Sequence, residues 1–417
     1  MVPELSAAVG VEIGSSRATI AIISADGQVR ERFEARTLRG RPARATLEPY
    51  LRAIDAAVQR AEEVGYALQG IGLALPGKLD QTYSRRFLIT LLPSLNHFPL
   101  CDLLETRYHL PVRLHSDVEA AALGEYAYGA ARSSRRALLL TVHAVVGAAL
   151  ISDGQPEPTA REYTGHVCHL PVANTGPRCS CGRRGCISTL VSLEAVQRLI
   201  QRAARKGEPS SLIQRLSNRE QLSAQLLAEE AIRGDSVALT IYQEIGHWLG
   251  IATVHYLRQF APEVVVLGSG LLNADELLVN HLRRSLRSQL GQHASAEECR
   301  RAEALSIVPA YLGREAALIG SVVPLLTPTQ ASHEAAVLPG QFYEEASSPV
   351  SPLSFEQLAI AQRRTTHLYR LPAISDDLSH LVMERPLSSV PHPPDDLGSA
   401  SPSHTRLRPR HSHGQDH

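Results

Sequence analysis

The stretch VGVEIGSSRATIAII, residues 9–23, decides the fold. Apolar and β-branched residues lie on both sides of the polar turn Gly14-Ser15-Ser16, which predicts two strands joined as a hairpin. An Ala-Asp-Gly turn then leads into a third strand that ends near Arg36. Two further apolar strands, 137–142 and 147–152, are joined by a short turn and look like a second copy of this hairpin. The repeat lies in the shared pattern, because the residues themselves differ.

Between and after the hairpins, the spacing of apolar residues predicts helices that alternate with buried strands. A strand over 112–115 runs into a helix, with Asp117 at the junction, and Pro262 is expected to end a long helix. The predicted helices cover 47–64, 118–126, 236–260 and 312–326, a helical region 192–233 breaks near 217–218, and buried strands cover 71–75 and 264–267. This order is typical of an α/β protein.

Length and charge limit the classes of partner. The chain of 417 residues is long enough for two domains, and its 42 basic and 42 acidic residues balance, so DNA binding would need a local basic patch. No apolar run reaches the roughly 18 residues of a membrane span, and the N-terminus lacks the features of a signal peptide. We therefore expect a cytoplasmic protein without a membrane partner.

Proline, serine and histidine dominate residues 327–417, which predicts a disordered tail.

A cysteine and histidine cluster lies in CHLPVANTGPRCSCGRRGCIS, residues 168–188. Three thiolates and one imidazole form the closed tetrahedral set that a structural zinc ion prefers, and two glycines allow the tight turns that bring the sulfurs together. The alternatives are chance thiols or a disulfide, which a cytoplasmic chain disfavours. The proposed ligands are His169, Cys179, Cys181 and Cys186, and the two glycines are Gly182 and Gly185.

This cluster resembles the zinc site of the ROK family of sugar kinases and sugar-sensing repressors, in which Glu-x-Gly-His precedes Cys-x-Cys-Gly-x-x-Gly-Cys-x-Glu. The blocks IGLALPGKLD, LPVRLHSDVEAAALGEYAYGAAR, ISDG and VVVLGSG are similar to family blocks, so the resemblance covers about residues 9–326. It implies a two-lobed, actin-like ATPase (ribonuclease-H-like) fold with lobes 1–135 and 136–326 and a zinc-binding loop at 165–188. It also implies a homodimer or tetramer.

The resemblance implies a sugar site around Asp117, which matches the general base that takes a proton from the sugar hydroxyl. Read without the family, an aspartate at a strand-to-helix junction is more often a helix N-cap. Several family contacts are replaced: the asparagine before the base is Ser116, the glutamate of Glu-x-Gly-His is His166, its glycine is Cys168, and the last glutamate is Ser188. The substrate-binding residues implied are Ser94, Asn96, Ser116, Asp117, His166 and His169.

The resemblance also implies a site for ATP and Mg²⁺, which the substitutions weaken. The first phosphate loop is Glu12-Ile13-Gly14-Ser15-Ser16, and it retains one glycine and a hydroxyl. The second, Gly-Thr-Gly-Ile-Gly in the kinases, reads His-Ala-Val-Val-Gly and ends at Gly147. An adenosine loop, or alternatively an ordinary turn, is Gly268-Ser269-Gly270. The nucleotide-binding residues implied are Gly14, Ser15, Ser16, Gly147, Gly268 and Gly270.

These features leave three functions open. The first is a non-catalytic or weakly active regulatory protein that binds a sugar or sugar phosphate in the interlobe cleft. The second is an ATP-dependent kinase, glucokinase-like or N-acetylhexosamine-kinase-like, that uses Asp117 as general base. The third is an assembly protein whose zinc loop stabilises an oligomer. Family repressors carry an N-terminal helix-turn-helix, and only about eight residues precede Val9 here, so a DNA partner is not expected.

Overall fold

A computed structural model gives the structure of this chain. It describes residues 5–79, 87–88, 92–142, 146–157, 169–179, 181–268, 276–291 and 294–327. All of them belong to one compact unit, Met1–Thr366. The tail predicted to be disordered lies outside the described residues apart from its first position, Thr327.

The first sheet contains the opening hairpin. Its strand order is β3-β2-β1-β4-β7; β1 and β3 are each antiparallel to β2 between them, and β4 and β7 are added parallel to β1. The buried residues of β1 and β2 pack beneath the first helix, as apolar strands in a covered sheet should. The strands are β1 Ser6–Ile13, β2 Arg17–Ser24, β3 Val29–Arg36, β4 Ala67–Leu75 and β7 Val112–Ser116; β5 Lys78–Leu79 and β6 Phe87–Leu88 form a separate two-stranded ribbon.

The second sheet repeats this topology. Its order is β10-β9-β8-β11-β12, again with three antiparallel strands followed by two parallel ones. The repeat predicted from the two hairpins is therefore confirmed, and each hairpin lies at the centre of its own sheet. The strands are β8 Arg136–Val142, β9 Val146–Ser152, β10 Gln155–Pro156, β11 Val264–Gly268 and β12 Ser306–Pro309.

The helices follow the predicted order. They are α1 Ala43–Val64, α2 Leu100–Tyr108, α3 Asp117–Ala127, α4 Ile187–Leu190, α5 Leu193–Arg205, α6 Ser211–Ser217, α7 Ala224–Ile232, α8 Ser236–Phe260, α9 Glu276–Leu290, α10 Ala296–Ala304, α11 Ala316–Gly320 and α12 Val323–Leu326. The helix predicted over 236–260 is confirmed, and Ala261 ends it in a left-handed conformation before Pro262. The single helix predicted over 312–326 is wrong: a 3-10 turn, α11 and α12 replace it, because Pro324 cannot donate the hydrogen bond that would continue α11.

Two helical segments connect the two sheets. The α3 residues Ala122 and Leu123 belong to a core cluster with β8, β9 and β11 of the second sheet. In the other direction, Leu318 and Val322 from the end of the chain pack onto β1 and β2 of the first sheet. The strands before about residue 135 thus belong to the first sheet and those after it to the second, whereas α3 and the last helices each pack against the sheet formed by the other part of the chain. No helix among the described residues has the length and apolar character needed to cross a lipid bilayer.

Candidate ligand-binding cleft and metal cluster

A cleft of about 1020 Å³ lies between the two sheets. The turn between β1 and β2 forms one wall. The N-terminal end of α3 forms the floor, and the end of β8 forms the opposite side. The segment 310–318 and the start of α7 complete the lining. The lining includes Glu12, Gly14, Ser15, Ser16, Arg17, Arg32, Asp117, Val118, Glu125, Thr141, Ser223, Gln225, Gly268, Arg314 and Glu315.

Asp117 lies in this cleft at the first position of α3, and Ser116 is the N-cap. The Ser116 hydroxyl accepts a hydrogen bond from the Glu119 backbone N–H at 3.1 Å, and the Glu119 carboxylate accepts one from the Ser116 backbone N–H at 3.2 Å. In this capping box the N-cap role belongs to Ser116, with Glu119 as its partner. The interpretation of Asp117 as an N-cap is therefore wrong, and its carboxylate is left to face the cleft, with one Oδ1 accepting from Val118 N–H at 2.9 Å.

Two carboxyl groups in the cleft have raised pKa values. Burial is the main cause for Asp117, and it raises the pKa of this group to about 6. Burial also raises the pKa of Glu12 to about 7, and the nearby negative charge of Asp117 adds to that shift while Arg17 opposes it. At neutral pH the floor of the cleft thus carries a mostly ionised aspartate beside a partly protonated glutamate. Such a pair can both accept and donate hydrogen bonds to ligand hydroxyl groups.

The residues predicted for the phosphates line the cleft in part. Gly14, Ser15 and Ser16 form the tight β1–β2 turn, closed by the Gly14 N–H and the Arg17 carbonyl at 2.8 Å, and all three line the cleft. Gly268 lines it as well. Gly147 lies directly opposite Thr141 across β8 and β9, and a Cβ at Gly147 would come within 2.6 Å of the Thr141 hydroxyl oxygen. A side chain at 147 would therefore displace a residue of the cleft wall.

Other predicted residues lie elsewhere or outside the described part of the chain. Ser94 lies within a short 3-10 turn, Pro93–Leu95, and Asn96 is its C-cap; neither is among the described residues that line the cleft. Ser116 is engaged in the helix cap. His166 and Gly270 lie outside the described residues, as do residues 143–145 of the second phosphate loop. The assignment of these residues to a ligand stays a prediction.

The four predicted metal ligands converge. The ligand atoms of His169, Cys179, Cys181 and Cys186 all lie within 4.8 Å of one another. His169 Nδ1 lies 3.2 Å from Cys179 Sγ, and the sulfurs of Cys181 and Cys186 are 3.6 Å apart. Bonds of about 2.0–2.3 Å in a tetrahedron place ligand atoms roughly 3.3–3.8 Å apart, so the cluster is of a size to hold one metal ion.

The local backbone explains how the cysteines meet. Gly182 and Gly185 have φ angles of +89° and +66°, a conformation that side chains rarely adopt, and a Cβ at Gly185 would lie 2.0 Å from the Ala173 carbonyl oxygen. The predicted need for glycine at both turns is confirmed. Hydrogen bonds with Arg183 lower the pKa of the exposed Cys181 thiol, which favours the thiolate that a metal ion requires.

Some of the cleft residues were not among the predicted site residues. Glu12 stands in the first phosphate loop and could have been proposed as a carboxylate ligand. Thr141 lies near the end of the strand predicted over 137–142, a position that commonly faces a ligand in α/β folds. No sequence signal indicated the 310–318 segment, because its contacts with the cleft depend on the return of the chain to the first lobe.

Comparisons with known proteins agree with this geometry. The family model described as "ROK family" matches residues 8–326. Glucokinase from Thermotoga maritima is 28% identical over 279 residues, which cover 67% of this chain and 86% of that protein. The DNA-binding transcriptional repressor Mlc of Escherichia coli is 26% identical over 260 residues, or 61% of this chain and 63% of the repressor. The crystal structure of a ROK family glucokinase from Streptomyces griseus in complex with glucose and AMPPNP is 26% identical, with a TM-score of 0.58 over 76% of this chain and 98% of that one.

Proposed function

Since the chain belongs to the ROK family, we propose that it is a sugar-binding, regulatory member with a weakened nucleotide site and little or no kinase activity. The observation that carries the proposal is the position of Asp117. Its carboxylate lies in the interlobe cleft, takes no part in the capping box of Ser116 and Glu119, and is mostly ionised at neutral pH. A carboxylate in that state can accept two hydrogen bonds from adjacent sugar hydroxyls, and those bonds are strong because the acceptor is charged.

The nucleotide side supports the regulatory part of the proposal. A cradle for phosphates needs backbone N–H groups at glycine-rich turns. The first turn has a single glycine, Gly14, followed by two serines, and the second replaces Gly-Thr-Gly with His-Ala-Val. In phosphoryl transfer, positioning and electrostatic stabilisation of the phosphates supply nearly all the rate, so a base without this cradle is a poor kinase.

We also propose that the His/Cys₃ cluster holds a structural zinc ion. The donor set of one imidazole and three thiolates suits zinc, and it leaves no open coordination position for chemistry. His169 and Cys186 come from the two ends of the loop, so the ion would tie the segment around Pro171 to the start of α4. We further propose that the protein is a homodimer or tetramer, as the family resemblance implies, and light scattering coupled to gel filtration measures that state. The cytoplasmic location expected from the sequence stays part of the proposal.

An ATP-dependent sugar kinase is the second candidate. The similarity to the Thermotoga maritima glucokinase covers 86% of that enzyme, which favours this candidate. In this reaction Asp117 takes the proton of the sugar hydroxyl while the hydroxyl oxygen of the sugar attacks the terminal phosphate of ATP. ADP is the leaving group. A pKa of about 6 suits a base that acts near neutral pH.

Two measurements separate the candidates. In the first, coupled ADP release is followed over a panel of hexoses and amino sugars, with Asp117→Asn as the matched isosteric variant. Turnover that this variant abolishes establishes the kinase. In the second, thermal shifts are recorded with the same sugars and with Mg-ATP. A shift with a sugar but none with Mg-ATP, lost in Asp117→Asn, is the result expected of a sugar-binding regulator, and the absence of any sugar response refutes both candidates.

A further inference from the structure

The chain passes between the two sheets at two places in its described part. Residues 128–135 lead from α3 to β8 of the second sheet, and residues 310–315 lead from β12 back to α11, which packs on the first sheet. We call these segments the outgoing connection and the returning connection. Any change in the angle between the sheets must be taken up by these few residues, as at a hinge.

The outgoing connection is attached to a sheet at each end. The Tyr128 hydroxyl donates to the Ala25 carbonyl of the β2–β3 turn at 3.0 Å, and the Tyr128 ring lies so close to Gly27 that a Cβ there would come within 2.5 Å of it. Three residues later, Ala131 is buried in the core cluster that includes β8, β9 and β11. The chain thus passes from contact with the first sheet to the core of the second within 128–131.

The returning connection is attached in the same way. The Ala310 backbone N–H donates to the Leu267 carbonyl of β11 at 2.9 Å, and Glu315 forms an ion pair with Arg32 of β3. Between these attachments, Gly313 has a φ of +58°, and no described heavy atom lies within 4 Å of the place where its Cβ would be. A glycine in open surroundings can change its backbone angles with little hindrance.

A single side chain holds the middle of both connections. Glu125 lies in the last turn but one of α3 and is 1% exposed. Its Oε2 accepts the backbone N–H of Ala130 at 2.8 Å and that of Tyr311 at 3.0 Å, and its Oε1 accepts that of Leu312 at 2.7 Å. Hydrogen bonds to a charged acceptor are stronger than bonds between neutral groups. The carboxylate therefore fastens two segments that are far apart in sequence to one point.

We propose that Glu125 is a positioning residue whose carboxylate is the pivot that fixes the angle between the two sheets, and with it the spacing of the cleft walls. Glu125 belongs to the cleft lining together with Ala310 and Gly313. Without the carboxylate, the two connections would move independently, and the fraction of molecules at the angle that binds a ligand would fall. The inference deepens the proposed function and rests on it only where sugar binding is measured.

Two variants disturb the pivot in different ways. In Glu125→Gln the side chain keeps one oxygen, but its NH₂ group faces a backbone N–H that it cannot accept. In Gly129→Ala the carboxylate is intact but displaced, because a Cβ at this position would lie 2.1 Å from its Oε2. Glu230→Gln is the matched control: this carboxylate is also fully buried, and its side-chain partners among the described residues lie within 211–233, away from both connections.

The first measurement uses the full chain without any ligand. Spin labels on ketone-bearing residues introduced at two exposed positions, 62 in α1 and 201 in α5, leave the cysteines unmodified and report the distance between the two halves. Wild type and Glu230→Gln should give one narrow distribution of distances, and both pivot variants a broader one. Amide exchange should accelerate about tenfold or more at 130, 311 and 312 in the pivot variants, while the strand ladders keep their protection.

The second measurement is stopped-flow binding with glucose as the probe. The pivot variants should lower the association rate constant about threefold or more and change the dissociation rate constant less than about twofold, because only the competent fraction falls. Asp117→Asn, which removes a direct contact, should raise the dissociation rate constant instead. If no variant and no wild-type protein binds glucose, the proposed function fails for this sugar, and the distance distributions still decide whether Glu125 is the pivot.

Other results would overturn the assignment. Unchanged distance distributions in both pivot variants would mean that the carboxylate only satisfies buried N–H groups. Equal broadening in Glu230→Gln would make the effect a general consequence of lost stability. A change in the dissociation rate constant alone would place Glu125 in contact with the ligand and not at the pivot. Urea midpoints of the three variants check that each remains folded under the conditions used.

Discussion

Substitution of Gly320 by alanine tests how closely α11 packs against α3. Gly320 ends α11 where this helix crosses α3, and a Cβ at this position would lie 1.6 Å from the Ala120 carbonyl oxygen and 2.6 Å from the Gly124 backbone nitrogen. Ordinary contact for such an atom begins near 3.4 Å. Both neighbours are backbone atoms, so no rotation of a side chain can relieve the clash, and the helices must separate by more than 1 Å.

The expected loss of stability follows from two opposing effects. Overpacking of a well-packed core costs about 1–3 kcal/mol, and a clash with backbone belongs at the upper end of that range. Alanine in a helix recovers up to about 1 kcal/mol relative to glycine. The free energy of unfolding should therefore fall by about 2 kcal/mol or more. Because α11 lines the cleft and α3 carries Asp117, the affinity for sugar should fall as well.

Urea unfolding followed by circular dichroism measures the change from the shift in midpoint at constant slope. Gly291→Ala is the matched control, since a Cβ there would meet nothing closer than 3.5 Å, and it should change stability by less than about 0.5 kcal/mol. Gly320→Ala with wild-type stability would refute the close crossing of α3 and α11.

Three further changes have defined outcomes. Cys181→Ser should reduce bound zinc from about one per chain to near zero and lower the urea midpoint, because metal binding is coupled to folding. Cys299→Ser, the control, should leave both quantities unchanged. Metal analysis of the two purified variants measures the zinc content. Glu125→Ala should lower the free energy of unfolding in urea by about 3 kcal/mol or more. The almost fully buried carboxylate accepts hydrogen bonds from three backbone N–H groups, and these would lose their acceptor. A loss below about 1 kcal/mol would contradict that role. Glu12 and Asp117 hold protons in the folded state that the unfolded chain has already lost, so their contribution to stability is complete below about pH 4 and disappears as pH rises through about 6 to 7. Glu12→Gln should therefore flatten the fall in stability over this range, and an unchanged pH profile would show that Glu12 has an ordinary pKa.

The local features of the chain could be predicted because they depend on residues close in sequence. The strands around Gly14 follow from a period of two and from turn residues, and the long helix Ser236–Phe260 follows from its apolar spacing and Pro262. The four residues of the His/Cys₃ cluster lie within a short loop, so their order and the glycines between them were sufficient to predict that they meet.

The roles at the start of α3 show where this reasoning stops. Sequence placed Asp117 at the junction, but whether it or Ser116 caps the helix depends on a shift of one residue in the backbone. The pKa of Glu12 depends on burial and on the charge of Asp117. Glu12 lies in β1 and Asp117 begins α3, far along the chain, so only the folded structure brings the two carboxyl groups together.

By itself, the sequence determined the two repeated hairpins, the family resemblance and the convergence of the His/Cys₃ cluster, because each is encoded by hydrophobic period, turn chemistry or short-range spacing. Only the tertiary structure decided which residues line the cleft, that the last helices return to the first sheet, and that Arg17 stands opposite Arg36. Those facts depend on contacts between segments distant in sequence, and such contacts arise from packing of the whole core, which no local pattern specifies.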